Sequence, residues 1–219
     1  MENAEQIYAC WKQVYTLQLK AGAKELDPKF FNAFEKAEFN KSDAEEWSQW
    51  IKNKVVRPLT VIEERQVPKD KIFSSPLRFV RTNKGEKAKA LKAKSRLVVP
   101  GHKDPDLGEF RTDSPTTSTL AVQVAATIAA SKDWEGETFD VSTAFLSGKE
   151  TDRNVYIRAP KDGLPSVEGQ KGIKPLAVLE LLKGAYGLAE APRLWYLRAR
   201  ELLDKCGFKE LRICRSVFA

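Results

Sequence analysis

Thr138-Phe139-Asp140-Val141-Ser142-Thr143-Ala144-Phe145-Leu146 sets one carboxylate behind a hydrophobic lead and directly before a turn of small residues that carries an aromatic. The lead predicts a strand over 136–141 with Asp140 at its end. Upstream, residues 120–130 are rich in Ala, Val and Ile and follow a hydroxyl cluster at 116–119, which predicts a buried helix with a hydroxyl cap. Downstream, 155–158 and 176–182 predict two strands, and the five Gly or Pro of 163–175 mark a loop between them. A final helix begins near Pro192, sets Trp195, Ala199, Leu202 and Cys206 on one stripe, and stops at Gly207.

The first half of the chain extends this alternation. Ile7, Cys10, Trp11, Val14 and Leu17 recur at helical intervals and predict an amphipathic helix over 4–20. Ser42-Asp43-Ala44-Glu45 has capping-box spacing and leads into Trp47, Trp50 and Ile51 on one face, a second helix. Residues 59–62, 77–81 and 94–99 read as strands, and Asn83-Lys84-Gly85-Glu86 supplies a turn between the last two. The fold class is α+β, with an antiparallel sheet and packed helices.

A chain of 219 residues that is 42% hydrophobic, with five Trp and eleven Phe, can bury a substantial core. The net charge of +7 is concentrated. Between Arg78 and Lys103 nine Lys or Arg face only Glu86, so the rest of the chain is close to neutral. A basic hairpin of this kind fits a surface that meets phosphates; charge alone fits a solvated hairpin equally well. Cys10, Cys206 and Cys214 follow no metal or disulfide spacing, and His102 is the single histidine. That pattern argues against zinc and for reduced thiols in an intracellular protein. No apolar run reaches membrane-spanning length, and no membrane partner is expected.

Six blocks, in order, carry a family resemblance. They are the helix at 42–50, Lys94-Ser95-Arg96-Leu97-Val98-Val99, Ser114-Pro115, the Asp140 stretch, Val155-Tyr156-Ile157-Arg158-Ala159-Pro160, and the block from Tyr186 to Trp195. Together they resemble the reverse transcriptase domain of copia-type retrotransposon polyproteins, from about Glu38 onward. The resemblance implies a fingers-palm polymerase module over 38–219, with fingers at about 55–115, palm at about 116–219 and a helical extension at 1–37. The family's Tyr-x-Asp-Asp hairpin would lie beyond Ala219, so the palm sheet is expected to be truncated before completion. The chain then reads as part of an RNA-directed DNA polymerase that does not polymerise alone. Two readings from other classes remain: a non-catalytic nucleic-acid-binding remnant and a domesticated interaction module.

The resemblance also implies roles. Asp140 would be the catalytic carboxylate and, with the carbonyl of Val141, a ligand for Mg²⁺ or Mn²⁺ in the complete enzyme. Lys94 and Arg96 would contact the triphosphate, Phe145 would lie under the deoxynucleotide sugar, and Tyr186 and Gly187 would face nucleotide and template. Lys87, Lys89, Lys92 and Arg193 would bind an RNA/DNA template-primer, with the missing C-terminal half of the polymerase as a further partner. By residue type alone, Asp140 reads as a turn cap, and Phe145 and Tyr186 as core anchors. The chain departs from the family at Ala189-Glu190, where a Lys-Gln pair is usual, which places a negative charge near the expected phosphates.

Overall fold

A computed structural model describes residues 25–85 and 91–219; the helix expected over 4–20 lies outside them. Tertiary contacts divide the described residues into two compact units, one of 25–42 with 80–85 and 91–95, the other of 43–79 with 96–219. The architecture is α+β, with an antiparallel three-stranded sheet and a second, two-stranded sheet.

Helix α1 spans Ala33–Lys52. It begins nine residues before the Ser42 box because Asn32 and Glu35 make the reciprocal cap instead. The Glu35 amide donates to Asn32 Oδ1 and the Asn32 amide to Glu35 Oε2, both at 2.9 Å. Ser42 is therefore a buried mid-helix residue rather than a cap. The helix ends in a Schellman-type turn: Lys54 takes φ 53°, and the amide of Val55 reaches back to the carbonyl of Trp50. Trp47 and Trp50, one turn apart, are fully buried with ring centroids 6.4 Å apart.

Strand β1 (Val56–Pro58) is followed by α2 (Val61–Gln66). The run 59–62, with β-branched Thr60, Val61 and Ile62, does not form the expected strand. Thr60 caps α2 by accepting from the Glu63 amide while Glu63 accepts from the Thr60 amide, and this local box outweighs β propensity. Strands β2 (Arg78–Asn83) and β3 (Ala93–Val98) form the two-stranded sheet. Two amides of β3 that point away from β2 are satisfied by side chains of α1. The Ser95 amide donates to Ser42 Oγ at 2.8 Å, and the Leu97 amide to Glu46 Oε1 at 3.3 Å. Residues 42 and 46 are four apart on a helix and 95 and 97 two apart on a strand, so one helix face covers alternate sites of a strand edge.

Helix α3 (Thr119–Ser131) forms as expected, with Ser118 Oγ accepting from the Ala121 amide. It is not buried: none of its residues is enclosed, and Leu120, Val124 and Ile128 are exposed. Residues 136–141 are exposed and irregular rather than a strand. A strand exists only through a neighbour's ladder, and no described strand pairs with this stretch.

Strands β4 (Glu150–Arg158) and β5 (Val178–Lys183) complete the main sheet in the order β1-β5-β4. Val155 pairs with Leu181 and Ile157 with Leu179, setting four buried side chains on one face. They pack with Trp47, Trp50 and Leu97 in one core. The register shifts between Glu150 and Val155, a bulge in β4. Helix α4 (Ala191–Lys205) starts with Pro192 in its first turn, and Gly207, at φ 95°, follows its end. Its buried residues are Ala191 and Leu194; Leu202 and Cys206, on the expected stripe, are exposed.

Candidate functional site

Along β3, Ser95 and Leu97 are buried while Lys94 and Arg96 are exposed, as strand alternation dictates. The chain then passes closely over the 184–190 segment. The Val99 amide donates to the Tyr186 carbonyl at 2.7 Å. Gly187, at φ 88°, leaves no room for a side chain, since a Cβ there would stand 2.1 Å from the Val99 carbonyl oxygen. Gly101 makes the reciprocal approach, with a Cβ 2.0 Å from the Gly187 oxygen. These two glycines let the segments meet backbone to backbone.

That crossing gathers an aromatic and cationic group. The Arg96 guanidinium lies 5.5 Å from the centroid of the Tyr186 ring, within cation–π range. Phe145 meets the same ring edge-on at 5.7 Å. Phe145 stands in the 3-10 turn Ala144–Ser147, which opens at Thr143 with φ 54°. A left-handed β-branched residue is strained by about 1–2 kcal/mol; the Leu146 and Ser147 amides, both bonded to the Thr143 carbonyl, hold it. Burial pushes the Tyr186 phenol above its ordinary pKa, and the negative charge of Glu46 adds to this; Arg96 pulls the other way, and Asp140 raises it further.

The other expected residues are placed as follows. Asp140 and Val141 are exposed. The Lys92 side chain is exposed, and its main-chain amide donates to Asn83 Oδ1. Arg193 pairs with Asp113 at 3.0 Å at the start of α4. Lys87 and Lys89 lie outside the described residues. A pair of divalent ions brings about four positive charges and needs several oxygen donors. Among the described residues no three His, Cys, Asp or Glu converge to hold a metal, and Asp140 is a single exposed carboxylate. The donors here do not fit a two-metal centre.

Glu190 does not project toward phosphates. It is buried, and Arg153 Nε donates to its Oε1 at 3.1 Å while Thr151 Oγ1 donates at 2.9 Å. Arg153 also binds Asp104 with both terminal nitrogens, at 2.5 and 3.0 Å, reaches Asp106 at 3.4 Å and covers the Phe110 ring at 3.9 Å. Burial works against its charge, yet the Asp104 bonds and the Glu190 charge hold its pKa above the ordinary arginine value. Lys71 pairs with Asp106 at 2.6 Å, and this hydrogen bond is the largest influence holding the Asp106 carboxyl below its usual range. Strand alternation held the signal for this cluster: Thr151, Arg153, Val155 and Ile157 share the inward face of β4.

The model of the reverse transcriptase (RNA-dependent DNA polymerase) family matches residues 60–219. The chain is 34% identical over 116 residues to the Retrovirus-related Pol polyprotein from transposon RE1 of Arabidopsis thaliana, covering 52% of this chain and 7% of that protein. It is 36% identical over 111 residues to the Retrovirus-related Pol polyprotein from transposon TNT 1-94 of Nicotiana tabacum, covering 50% and 8%. This chain thus matches less than a tenth of the length of either relative. No solved structure matches it significantly. No helix among the described residues is long and apolar enough to cross a membrane. With a family model spanning most of its length and Pol polyproteins as relatives, this chain belongs to the reverse transcriptase family, in its copia-type branch.

Proposed function

We propose that this chain is the nucleotide- and template-facing part of an intracellular RNA-directed DNA polymerase, a fingers and palm module of a copia-type retroelement. The grouping of Arg96, Phe145 and Tyr186, in a chain of this family, carries the reading. Arg96 grips phosphate oxygens in bidentate fashion and Lys94 adds a point charge on the same strand face. Phe145 lies under the sugar, where its bulk excludes a 2′-hydroxyl. Tyr186 stacks on base or sugar, and Gly187 lets the backbone approach. Lys92, with Lys87, Lys89 and Arg193, draws in an RNA/DNA template-primer. The Mg²⁺ or Mn²⁺ of a complete enzyme needs donors beyond Asp140 and Val141, so this chain by itself binds nucleic acid without extending a primer.

The test is binding of an RNA/DNA primer–template across a salt series, with wild type and a Lys89→Gln, Lys92→Gln, Lys94→Gln, Arg96→Gln variant. The variant binds more weakly, and its slope against log salt falls by roughly one unit per lost phosphate contact. Unchanged affinity and slope in a folded variant overturn the reading. Primer extension with Mg²⁺ or Mn²⁺ separates the alternatives: synthesis lost in Asp140→Asn means a second chain completes the site, and binding without synthesis fits the partial module.

A further inference from the structure

We infer that Arg153 is a positioning residue, a clamp that locks the 101–106 loop to the 184–190 segment and so presents Tyr186 to Arg96 and Phe145. One guanidinium spans both segments, reaching Asp104 and Asp106 on the first and Glu190 on the second. The segments it joins are those that cross at Gly101 and Gly187 without room for a methyl group. Arg153 lies on the inward face of β4 with Val155 and Ile157, and its side chain is only 16% exposed. The carbonyl of Tyr186 accepts from Val99 three residues after Arg96, so the crossing also sets the distance between guanidinium and ring.

The charges account for Glu190. Asp104, Asp106 and Glu190 face Arg153 and Lys71, an excess of one carboxylate. A Gln at 190 leaves two cations on two carboxylates, whereas losing Arg153 leaves three carboxylates with one cation, Lys71, which pairs with Asp106. The cluster therefore tolerates change at 190 and not at 153. The negative charge that departs from the family's pattern is absorbed within the protein, and the positive face of Arg96 keeps its sign.

Amide exchange and tyrosine-labelled NMR on the whole chain test the clamp, with Tyr186→Phe assigning the phenol. Arg153→Lys keeps the charge and loses the fork. It speeds exchange of the Val99 amide about tenfold, the size of one lost charge-assisted hydrogen bond. The Leu182 amide, bonded to Val55 at 2.7 Å in the sheet, is the internal reference and keeps its rate. The Tyr186 phenol titrates lower in Arg153→Lys as its burial relaxes, and Glu190→Gln moves Val99 exchange by less than about twofold. Equal acceleration at Val99 and Leu182 shows a general structural role and overturns the clamp, as does unchanged Val99 exchange in folded Arg153→Lys. If Arg153→Lys does not fold, the Arg153→Gln, Asp104→Asn, Glu190→Gln variant, which leaves Lys71 paired with Asp106, decides: fast Val99 exchange supports the clamp, and a wild-type rate overturns it. The value of this clamp for catalysis rests on the polymerase reading. A dTTP titration separates the two: no binding by wild type counts against that reading alone, while weaker binding by Arg153→Lys at unchanged Leu182 exchange supports both.

Discussion

Two aromatic-rich regions of this chain meet opposite fates. Trp47 and Trp50 are sealed beneath β3 and the main sheet, whereas Trp134 is 65% and Phe139 88% exposed in the segment after α3. Apolar content does not separate them, because α3 carries no charged residue at all. What separates them is backbone accounting. The first region lies against strands whose amides are spoken for, by β5, by β4 and by the Ser42 and Glu46 side chains. The second has no described strand beside it, so hydrophobicity finds nothing to close over.

The strongest way to break this contrast is at its packed end. Trp50→Ala removes a fully buried indole and the donor to Glu46, and should cost about 3–5 kcal/mol by urea unfolding. A loss near 1 kcal/mol would mean that the core is looser than its burial indicates. Next in size is the cover over β3. Ser42→Ala strands the buried Ser95 amide and should cost about 1–3 kcal/mol. Ser95→Ala removes a buried hydroxyl that has no hydrogen-bond partner among the described residues, and should be neutral or slightly stabilising. The two serines sit on either side of one hydrogen bond, so equal losses would refute the assignment.

A smaller effect is expected at the surface, where Glu63 caps α2. The Thr60 amide, followed by Arg57, holds its carboxyl down at about 2. A depressed carboxylate stabilises the fold fully above its unfolded value and loses that contribution as pH falls toward its folded value. The capping contribution should therefore fade between about pH 4.5 and pH 2, and Glu63→Gln should flatten the acid limb of stability in that window. Identical acid limbs for variant and wild type would show that the box adds nothing. The smallest effect belongs to the exposed end of the comparison. Leu120→Lys and Ile128→Lys in α3 should change stability by no more than about 0.5 kcal/mol, since neither side chain is enclosed. A loss above about 2 kcal/mol would mean that α3 is covered in solution.

Much of this was legible in the residue pattern. Strands β3, β4 and β5, the cap of α3 and the Pro192 start of α4 all follow from periodicity and turn chemistry, which act over a few residues. Ordered family blocks single out Arg96, Phe145 and Tyr186, and the fold brings the three side chains together. Two departures from the residue pattern are local competitions: Thr60 and Glu63 make a cap out of a run with strand propensity, and Asn32 and Glu35 start α1 ahead of Ser42. The other departures depend on neighbours. Strand geometry at 136–141 and burial of α3 need partners that no window of sequence contains.

Residue types and spacing therefore determined the family, the helices and strands with strong local signals, and the positive face of β3, because each is written within a few consecutive positions. Tertiary structure alone decided that Glu190 turns inward to Arg153, that Gly101 and Gly187 must meet without side chains, and that Glu46 serves a strand rather than solvent. The physical reason is range. Propensity and capping act within one turn, whereas the sign of an environment and the room for a methyl group depend on residues tens of positions away.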